Sequence, residues 1–507
     1  MNQRNAYQQL TSHWVDLSVL ASTASVLSWD QEVMMPKMAA SHRAKQLAQL
    51  SGMVHGRMTD ERVGDWLAAC EVDDGLMGDP LSEFAVNVRE LRHKYDLATK
   101  LPAELVTELT EVASMAQGVW AKARQEQNFN MFKDDLERVL NLLREKAKCF
   151  GWDEKNGEAW DALAEEYEPG CRAKDVERVF EPLRDQLVRL LGKIKASGYH
   201  PDGKLNKLEI REDKQYAFVK EVVDTLGFNF EGGRLDRSAH PFCSGGGPRD
   251  ARMTTRFHKD MIGDALGSTM HEAGHGMYDQ GMREDMWGLP MGDYVSLGIH
   301  ESQSRMWENL VGRSKAFWQW CLPVLKKHIG EAVSSIHELD CYESVNRVEA
   351  SLIRVEADEV TYNLHIMIRF ELERAMVSGA LDVADLPDAW NEKYRDYLGV
   401  NVPHDGVGCL QDVHWSCGAM GYFPTYTLGN LYASQFFEAA EREVGDLGAK
   451  FAAGEFDMLL NWLREKIHRQ GMRYRAADLC EVVTGERLSA EPLMRHLESK
   501  FGEVYHF

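Results

Sequence analysis

Apolar residues recur every three or four positions through most of the chain, which is the period of an α-helix with one buried face. The stretch between His55 and Ser82 is acidic and glycine-rich, and we interpret it as a surface connection. In the N-terminal part the pattern predicts helices over Tyr7–His55 with a break at Met35-Pro36, Phe84–Leu97, Ala103–Gln125, Phe132–Phe150 and Asp175–Ala196.

The pattern changes after Leu226, where short extended pieces are predicted. In Asp250–Phe257 the period is two, so Asp250, Arg252 and Thr254 share one face of a strand. An Asp–Arg pair that braces a hairpin and an edge that binds an extended substrate are both compatible with Asp250. Helical periodicity then returns over Met261–Gln280, Val345–Ser378 and Pro424–Glu443, with a glycine-rich loop at Gly406–Phe423.

The helix predicted over Met261–Gln280 contains an H-E-x-x-H pentad, His271 to His275. Residues i and i+4 lie on one helix face, about 5–6 Å apart at Cβ, so His271 and His275 can bind one divalent cation. Glu272 lies beside them and is placed to act on a water molecule held by that cation. A pentad alone can also arise by chance in a chain of this length.

A catalytic zinc site normally has a third protein ligand and leaves one position for water. The extended motif of the metzincins is absent, because Tyr278 and Gly281 stand where that class has Gly and His. A carboxylate on a following helix is the other common solution. His300 and Glu301 are about 100° apart on such a helix, so only one can face the cation, and Glu301 is preferred.

Two later segments suggest substrate contacts. Arg354 and Asp358 are one helical turn apart within the predicted helix Val345–Ser378, and Asp358 is expected to brace Arg354 for a free carboxylate. A solvated helix face explains the same polar stripe. In the glycine-rich loop, His414 and Tyr422 are neutral donors suited to an oxyanion, although they are equally compatible with ordinary packing.

Composition limits the remaining functions. The balance of 58 Lys and Arg against 80 Asp and Glu gives a net charge of −22, which disfavours nucleic acid as a partner. No signal peptide and no apolar run of membrane length is evident, so a cytoplasmic protein without membrane contacts is predicted. The 9 cysteines are scattered without a C-x-x-C pair and are interpreted as reduced thiols.

Six motifs occur in order along the chain, and together they resemble the carboxypeptidase Taq family of metallocarboxypeptidases. The likeness extends almost from end to end and matches in length. The motifs are H-P-F at His240–Phe242, D-x-R-x-T at Asp250–Thr254, H-E-x-x-H at His271–His275, H-E-S-Q at His300–Gln303, I-R-x-x-A-D at Ile353–Asp358 and G-x-x-Q-D-x-H-W at Gly408–Trp415.

The resemblance implies a mainly α, two-lobed helical cleft fold related to neurolysin and angiotensin-converting enzyme, with a small β-sheet next to the metal helix. We expect one peptidase domain over residues 1–507, in which 1–200 form a helical wall or lid and 201–507 carry the metal and substrate sites. The resemblance also implies peptide substrates and a homodimer.

For the metal, the resemblance implies one zinc ion per chain, bound by His271, His275 and Glu301, with cobalt able to substitute. Glu272 is then the general base and acid. The expected reaction releases single residues from the C-terminus of peptides. The alternatives are a zinc endopeptidase of the same fold and a non-catalytic helical binding protein whose metal is structural.

For the substrate, the resemblance implies Arg354 as the anchor of the C-terminal carboxylate. His240 and Arg252, with Asp250 beside it, are weaker candidates. The related converting enzymes suggest His414 and Tyr422 for stabilisation of the transition state. The spacing differs there, so Tyr426 is a rival to Tyr422.

Overall fold

The computed structural model describes residues 3–507, and this part of the chain contains twenty-one α-helices. The helices before the sheet are α1 (Gln3–Val33), α2 (Ala40–Met58), α3 (Glu61–Glu71), α4 (Asp74–Met77), α5 (Glu83–Lys100), α6 (Ala103–Gln125), α7 (Lys133–Phe150), α8 (Ala159–Ala164), α9 (Ala173–Ser197) and α10 (Glu212–Leu226). Those after it are α11 (Ile262–Gly281), α12 (Leu297–Arg305), α13 (Lys315–Ile329), α14 (Glu338–Val345), α15 (Thr361–Ser378), α16 (Leu386–Leu398), α17 (Pro424–Val444), α18 (Leu447–Ala452), α19 (Asp457–Lys466), α20 (Ala476–Thr484) and α21 (Glu491–Tyr505).

One small sheet interrupts the helices, in the strand order β1-β3-β2. Its strands are β1 (Gly233–Arg237), β2 (Cys243–Gly245) and β3 (Ala251–Thr255). β1 runs parallel to β3, with Leu235 opposite Met253, and β2 runs antiparallel to β3, with Ser244 opposite Arg252. β3 packs against α11. The mainly α fold with a small sheet beside the helix of the pentad is therefore confirmed.

The stretch between His55 and Ser82 is not only a surface connection, and that prediction is wrong for α3. The side chain of Asp60 accepts a hydrogen bond from the backbone N–H of Arg62 and caps this helix. The helix buries four apolar side chains at helical spacing, Val63, Trp66, Leu67 and Cys70. A two-turn apolar stripe between charged residues was enough to form a helix here.

The helix predicted over Val345–Ser378 is also wrong in its first half, because α15 begins only at Thr361. The carboxylate of Asp358 accepts the backbone N–H groups of Val360 and Thr361, both at 2.9 Å, as a cap of α15 does. Asp358 is therefore occupied at the start of the helix. Arg354 lies before it in a single 3₁₀ turn, Arg354–Glu356.

The apolar core consists of one large cluster that extends from Val112 to Tyr505 and a smaller one formed by residues between Ala6 and Leu91. The large cluster runs without a break through the expected division at residue 200. All 9 cysteines lie in the described part and are free thiols. Within residues 3–507 no helix has the length and apolarity to cross a membrane.

Two glycines let α11, α12 and α17 pack closely. A Cβ on Gly274 of α11 would lie 2.6 Å from Cα of Ser304 on α12, and a Cβ on Gly429 of α17 would lie 2.5 Å from Cγ of Glu301. Both approaches are too short for any other residue type. Gly267, in the same helix α11, is different, because a Cβ there would meet no described atom within 4 Å.

The substitution Gly274→Ala should therefore displace α12 and lower the free energy of unfolding by about 1–3 kcal/mol, the cost of overpacking a core. Gly267→Ala is the matched control in the same helix and should be neutral or stabilising by up to about 1 kcal/mol. Thermal or denaturant unfolding of both variants measures the difference. Equal stability of the two variants would contradict the close packing of α11 on α12.

Candidate active site

The structure contains a cleft with a volume of about 1230 Å³. The cleft is lined by the face of α1 that carries Ser18 and Ser22, and by Trp287. β2, the turn that leads to Asp250 and one face of α11 also line it. The pentad lies in this cleft, so the H-E-x-x-H helix is open to a ligand of peptide size.

His271, His275 and Glu301 converge in the cleft. One possible ligand atom from each lies within 4.8 Å of the other two. Oε2 of Glu301 lies 3.7 Å from Nε2 of His271 and 3.6 Å from Nε2 of His275. The three side chains come from two helices, α11 and α12, held together at Gly274. Such a set of two imidazoles and one carboxylate is a common ligand set of catalytic zinc.

His300 does not share this convergence and instead supports His275 from the side. A hydrogen bond of 2.6 Å joins their Nδ1 atoms, and Nε2 of His300 donates to Oδ1 of Asp279 at 3.2 Å. In the tautomer that satisfies both contacts, Nδ1 of His275 donates, which leaves its Nε2 lone pair facing Glu301. Burial lowers the pKa of His275 well below its ordinary value, so this imidazole is neutral, as a metal ligand must be.

Glu308 orients the other imidazole, and the sequence patterns did not reveal it. Nδ1 of His271 donates to Oε2 of Glu308 at 2.9 Å. Glu308 lies in a π-helical segment, Met306–Val311, that follows α12 directly. Arg305 and Arg313 donate to its two oxygens at 3.3 and 2.7 Å. Although burial alone raises the pKa of Glu308, these cations hold it far below the ordinary range.

Glu272, in contrast to Glu308, has no arginine partner among the described residues. Its side chain is buried in the cleft wall, and burial raises its pKa to about 7, with Glu301 and Glu308 acting in the same direction. Glu301, in contrast, accepts a hydrogen bond from Nε of Arg305 at 2.6 Å. A carboxyl group with a pKa near neutrality beside a possible metal site is suited to take and return a proton.

Arg354 does not pair with Asp358, and the predicted pair is wrong. Its Nε and Nη2 donate to Oδ1 of Asp412 at 3.0 and 2.8 Å, and its Nη1 donates to the Tyr362 hydroxyl at 3.2 Å. Arg369 of α15 donates to the second oxygen of Asp412 at 2.7 Å. Two buried guanidinium groups thus share one carboxylate. Arg354 is 5% exposed and lies outside the described wall of the cleft.

Tyr422 and Tyr426 both line the cleft, with ring centroids 5.4 Å apart. His414 lies one layer behind them, 5.3 Å from the Tyr422 ring, and is not part of the described wall. Burial lowers the pKa of His414 to about 4, so it is neutral at pH 7. The guanidinium carbon of Arg354 is 5.2 Å from the Tyr426 ring centroid, so this tyrosine separates Arg354 from the cleft.

The three predicted substrate contacts near the sheet, Asp250, Arg252 and His240, do not all lie in the described cleft wall. Asp250 lines the cleft and accepts two hydrogen bonds of 2.8 Å from Arg252, which also stacks over Trp29 of α1 at 4.5 Å. The Asp–Arg pair that braces a hairpin is therefore present. Arg252 and His240 are not in the wall as described for residues 3–507, and His240 is exposed.

Glu373 is a second residue that the sequence patterns missed. Its buried carboxylate accepts hydrogen bonds from Trp415 Nε1 at 2.9 Å, from the backbone N–H of Gly421 at 3.1 Å and from Trp160 Nε1 at 3.3 Å. These donors belong to the glycine-rich loop and to α8. Glu373 thus fixes the loop residue that precedes Tyr422 against the helical wall.

The family described as Carboxypeptidase Taq (M32) metallopeptidase matches residues 9–501. The chain belongs to this family. It is 46% identical over 511 residues to thermostable carboxypeptidase 1 of Thermus thermophilus, and the match covers all of both proteins. Carboxypeptidase 1 of Bacillus subtilis is 35% identical over 96% of both. Among solved structures, the M32 carboxypeptidase from Deinococcus radiodurans matches with a TM-score of 0.95 and 40% identity over 99% of this chain and all of that one.

Membership of the M32 family confirms the predicted resemblance and the enzyme class, a metallocarboxypeptidase. The family implies a metal ion, and the cluster of His271, His275 and Glu301 is a possible place for it. The individual site residues and the identity of the metal stay predictions.

Glu308 offers a test of this cluster by a residue outside it. Glu308→Gln should weaken metal affinity by about 10–100-fold, because groups that orient ligating histidines typically contribute that much. Competition with a coloured chelator measures the affinity for Zn²⁺. Glu503→Gln, at an exposed position, is the control with the same change of charge. Unchanged affinity in the Glu308 variant would show that its contact with His271 does not orient a ligand.

Proposed function

We propose that this M32 enzyme is a zinc-dependent carboxypeptidase that releases single amino acids from the C-terminus of peptides. The observation that carries the proposal is the convergence of His271, His275 and Glu301 in a cleft, with the buried Glu272 beside them. The metal is proposed to be zinc, with cobalt able to substitute.

The donor set fits a divalent cation. Hydrogen bonds at Nδ1 of His271 and His275 leave both Nε2 lone pairs directed at the Glu301 carboxylate. Two nitrogens and one carboxylate oxygen match zinc, which in catalytic sites keeps a fourth position for water. When bound, the metal would polarise water and lower its pKa towards about 7.

Glu272 then acts as general base and acid. It accepts a proton from the attacking water and delivers that proton to the amine that leaves when the peptide bond breaks. Its raised pKa favours both halves of this exchange near neutral pH. The hydroxyl of Tyr422, with Tyr426 as its rival, donates to the oxyanion that forms on the scissile carbonyl. His414, predicted as a second donor to the oxyanion, is not in the described cleft wall and is proposed to act by supporting Tyr422.

Arg354 is proposed to bind the C-terminal carboxylate of the substrate. Arg354 and Arg369 together carry two positive charges against the single charge of Asp412, so the cluster has one cation in excess. A free carboxylate would neutralise this excess positive charge. Arg354 lies behind Tyr426, so binding requires this ring to move aside. Arg252, Asp250 and His240 are proposed as weaker substrate contacts at the sheet.

We also propose an assembly state, a cellular location and a domain organisation. The resemblance to the family supports a homodimer with peptide substrates. The net charge of −22 and the 9 free thiols support a cytoplasmic protein without nucleic acid partners. One peptidase domain over residues 1–507, with a wall in 1–200, is likewise proposed. A zinc endopeptidase is not favoured, because the matched relatives are named carboxypeptidases.

Glu272→Gln tests the mechanism. The variant keeps the size and polarity of the side chain but cannot take a proton, so kcat should fall by at least about 10²–10⁴-fold. Zinc affinity should stay close to wild type, because Glu272 is not proposed as a ligand. Steady-state kinetics on a short peptide and metal titration measure the two quantities. Full activity in this variant would reject Glu272 as the base.

A pair of peptides that differ only in a free or an amidated C-terminus tests recognition of the carboxylate. The wild type should cleave the free peptide about 10–100-fold better, the value of one charge-assisted contact. Arg354→Met should reduce that ratio towards one. The ratio of kcat/KM for the two peptides does not depend on the fraction of folded enzyme. Equal cleavage of both peptides by the wild type would instead support an endopeptidase.

A further inference from the structure

Lys500 is a buried lysine on α21 with no place in the mechanism above. Its side chain is 6% exposed, and its Nζ makes two contacts with other parts of the chain. Nζ donates to Oε2 of Glu359 at 2.6 Å and to the backbone carbonyl of Asn309 at 3.2 Å. A buried lysine is costly to desolvate, and burial lowers its pKa. Its two partners therefore indicate what it does.

One partner of Lys500, Asn309, belongs to the segment that directs Glu308 to His271. Asn309 follows Glu308 in the π-helical segment Met306–Val311. π-helical turns are rare, less favourable than α-helix, and frequent at functional sites. At the end of this segment the N–H of Ser314, which would reach the Asn309 carbonyl in a continued π-helix, donates to Val311 instead. The Asn309 carbonyl is thus available to Lys500.

The other partner of Lys500, Glu359, belongs to the connection that carries Arg354. Glu359 follows the capping residue Asp358 and precedes α15, and it lies five residues after Arg354. Its other oxygen accepts from Nε2 of His496 at 2.8 Å, on the same helix as Lys500. The side chain of Glu359 is 3% exposed. The helix α21 therefore fixes both the metal-side segment and the substrate-side connection.

We propose that Lys500 is a positioning residue for the metal site: it holds the π-helical segment in the register that directs Glu308 to His271. Lys500 touches neither a proposed ligand nor the cleft in the described residues, so its influence on the metal passes through Asn309 and Glu308. This inference rests on the proposed zinc site.

The test measures the dissociation constant of Zn²⁺ by chelator competition, and the visible spectrum of the Co²⁺-loaded protein. Lys500→Met removes both donor contacts but leaves Glu359 charged. The double variant K500M/E359Q also removes that buried charge. It is therefore expected to fold even if the unpaired Glu359 unfolds the single variant. Lys315→Met is the matched control, because Lys315 pairs with Glu503 of the same helix at the surface.

Weaker zinc binding by about tenfold in both Lys500 variants, with an altered Co²⁺ spectrum and no change in Lys315→Met, is the expected result. Wild-type affinity in the double variant would overturn the proposal, since the effect would then come only from the unpaired Glu359. Wild-type affinity in a folded Lys500→Met would overturn it as well. A wild-type protein that binds no zinc would reject the proposed function itself, and this inference with it.

Discussion

Burial of Glu272 beside two further carboxylates is the constraint on which the site depends. Burial raises the pKa of Glu272, and the nearby carboxylates of Glu301 and Glu308 raise it further. Two cations, Arg305 and Arg313, are in place to compensate them. Glu272 makes no salt bridge among the described residues, so its ionised form is buried without a direct partner, which is unfavourable. A divalent cation between His271, His275 and Glu301 would stabilise that ionised form, so the arrangement suits a metal better than a purely structural core.

The cluster of charged residues behind Tyr422 and Tyr426 has the opposite imbalance of charge. Arg354 and Arg369 share Asp412, so this cluster has an excess of one positive charge. Tyr362 connects the two regions, since its hydroxyl accepts from Arg354 and its ring lies 4.2 Å from the guanidinium carbon of Arg305. The proposed metal site thus lacks a cation, and the Arg354 cluster behind Tyr426 lacks an anion. In the proposed reaction, a peptide with a free C-terminus would supply that anion, and its scissile carbonyl would lie one residue from that end.

Sequence patterns predicted what depends on neighbours along the chain. The pentad on α11, the preference for Glu301 over His300 and the start of α17 at Pro424 follow from helical spacing and local composition. Long-range partners were missed: Glu308 is 37 residues from His271, and Asp412 is 58 residues from Arg354. Periodicity also extended the helix of Arg354 too far, because Asp358 acts through its cap and not through its place in a stripe. A π-helical turn, which re-aims Glu308, has no signature in an apolar pattern.

The most direct test is a crystal structure of the zinc-loaded protein with anomalous data at the zinc edge. The account predicts one zinc ion bound by Nε2 of His271, Nε2 of His275 and a carboxylate oxygen of Glu301, at about 2.0–2.2 Å, with water in the fourth position. Zinc elsewhere, a shell that contains His300 in place of Glu301, or four protein ligands that leave no room for water would contradict it.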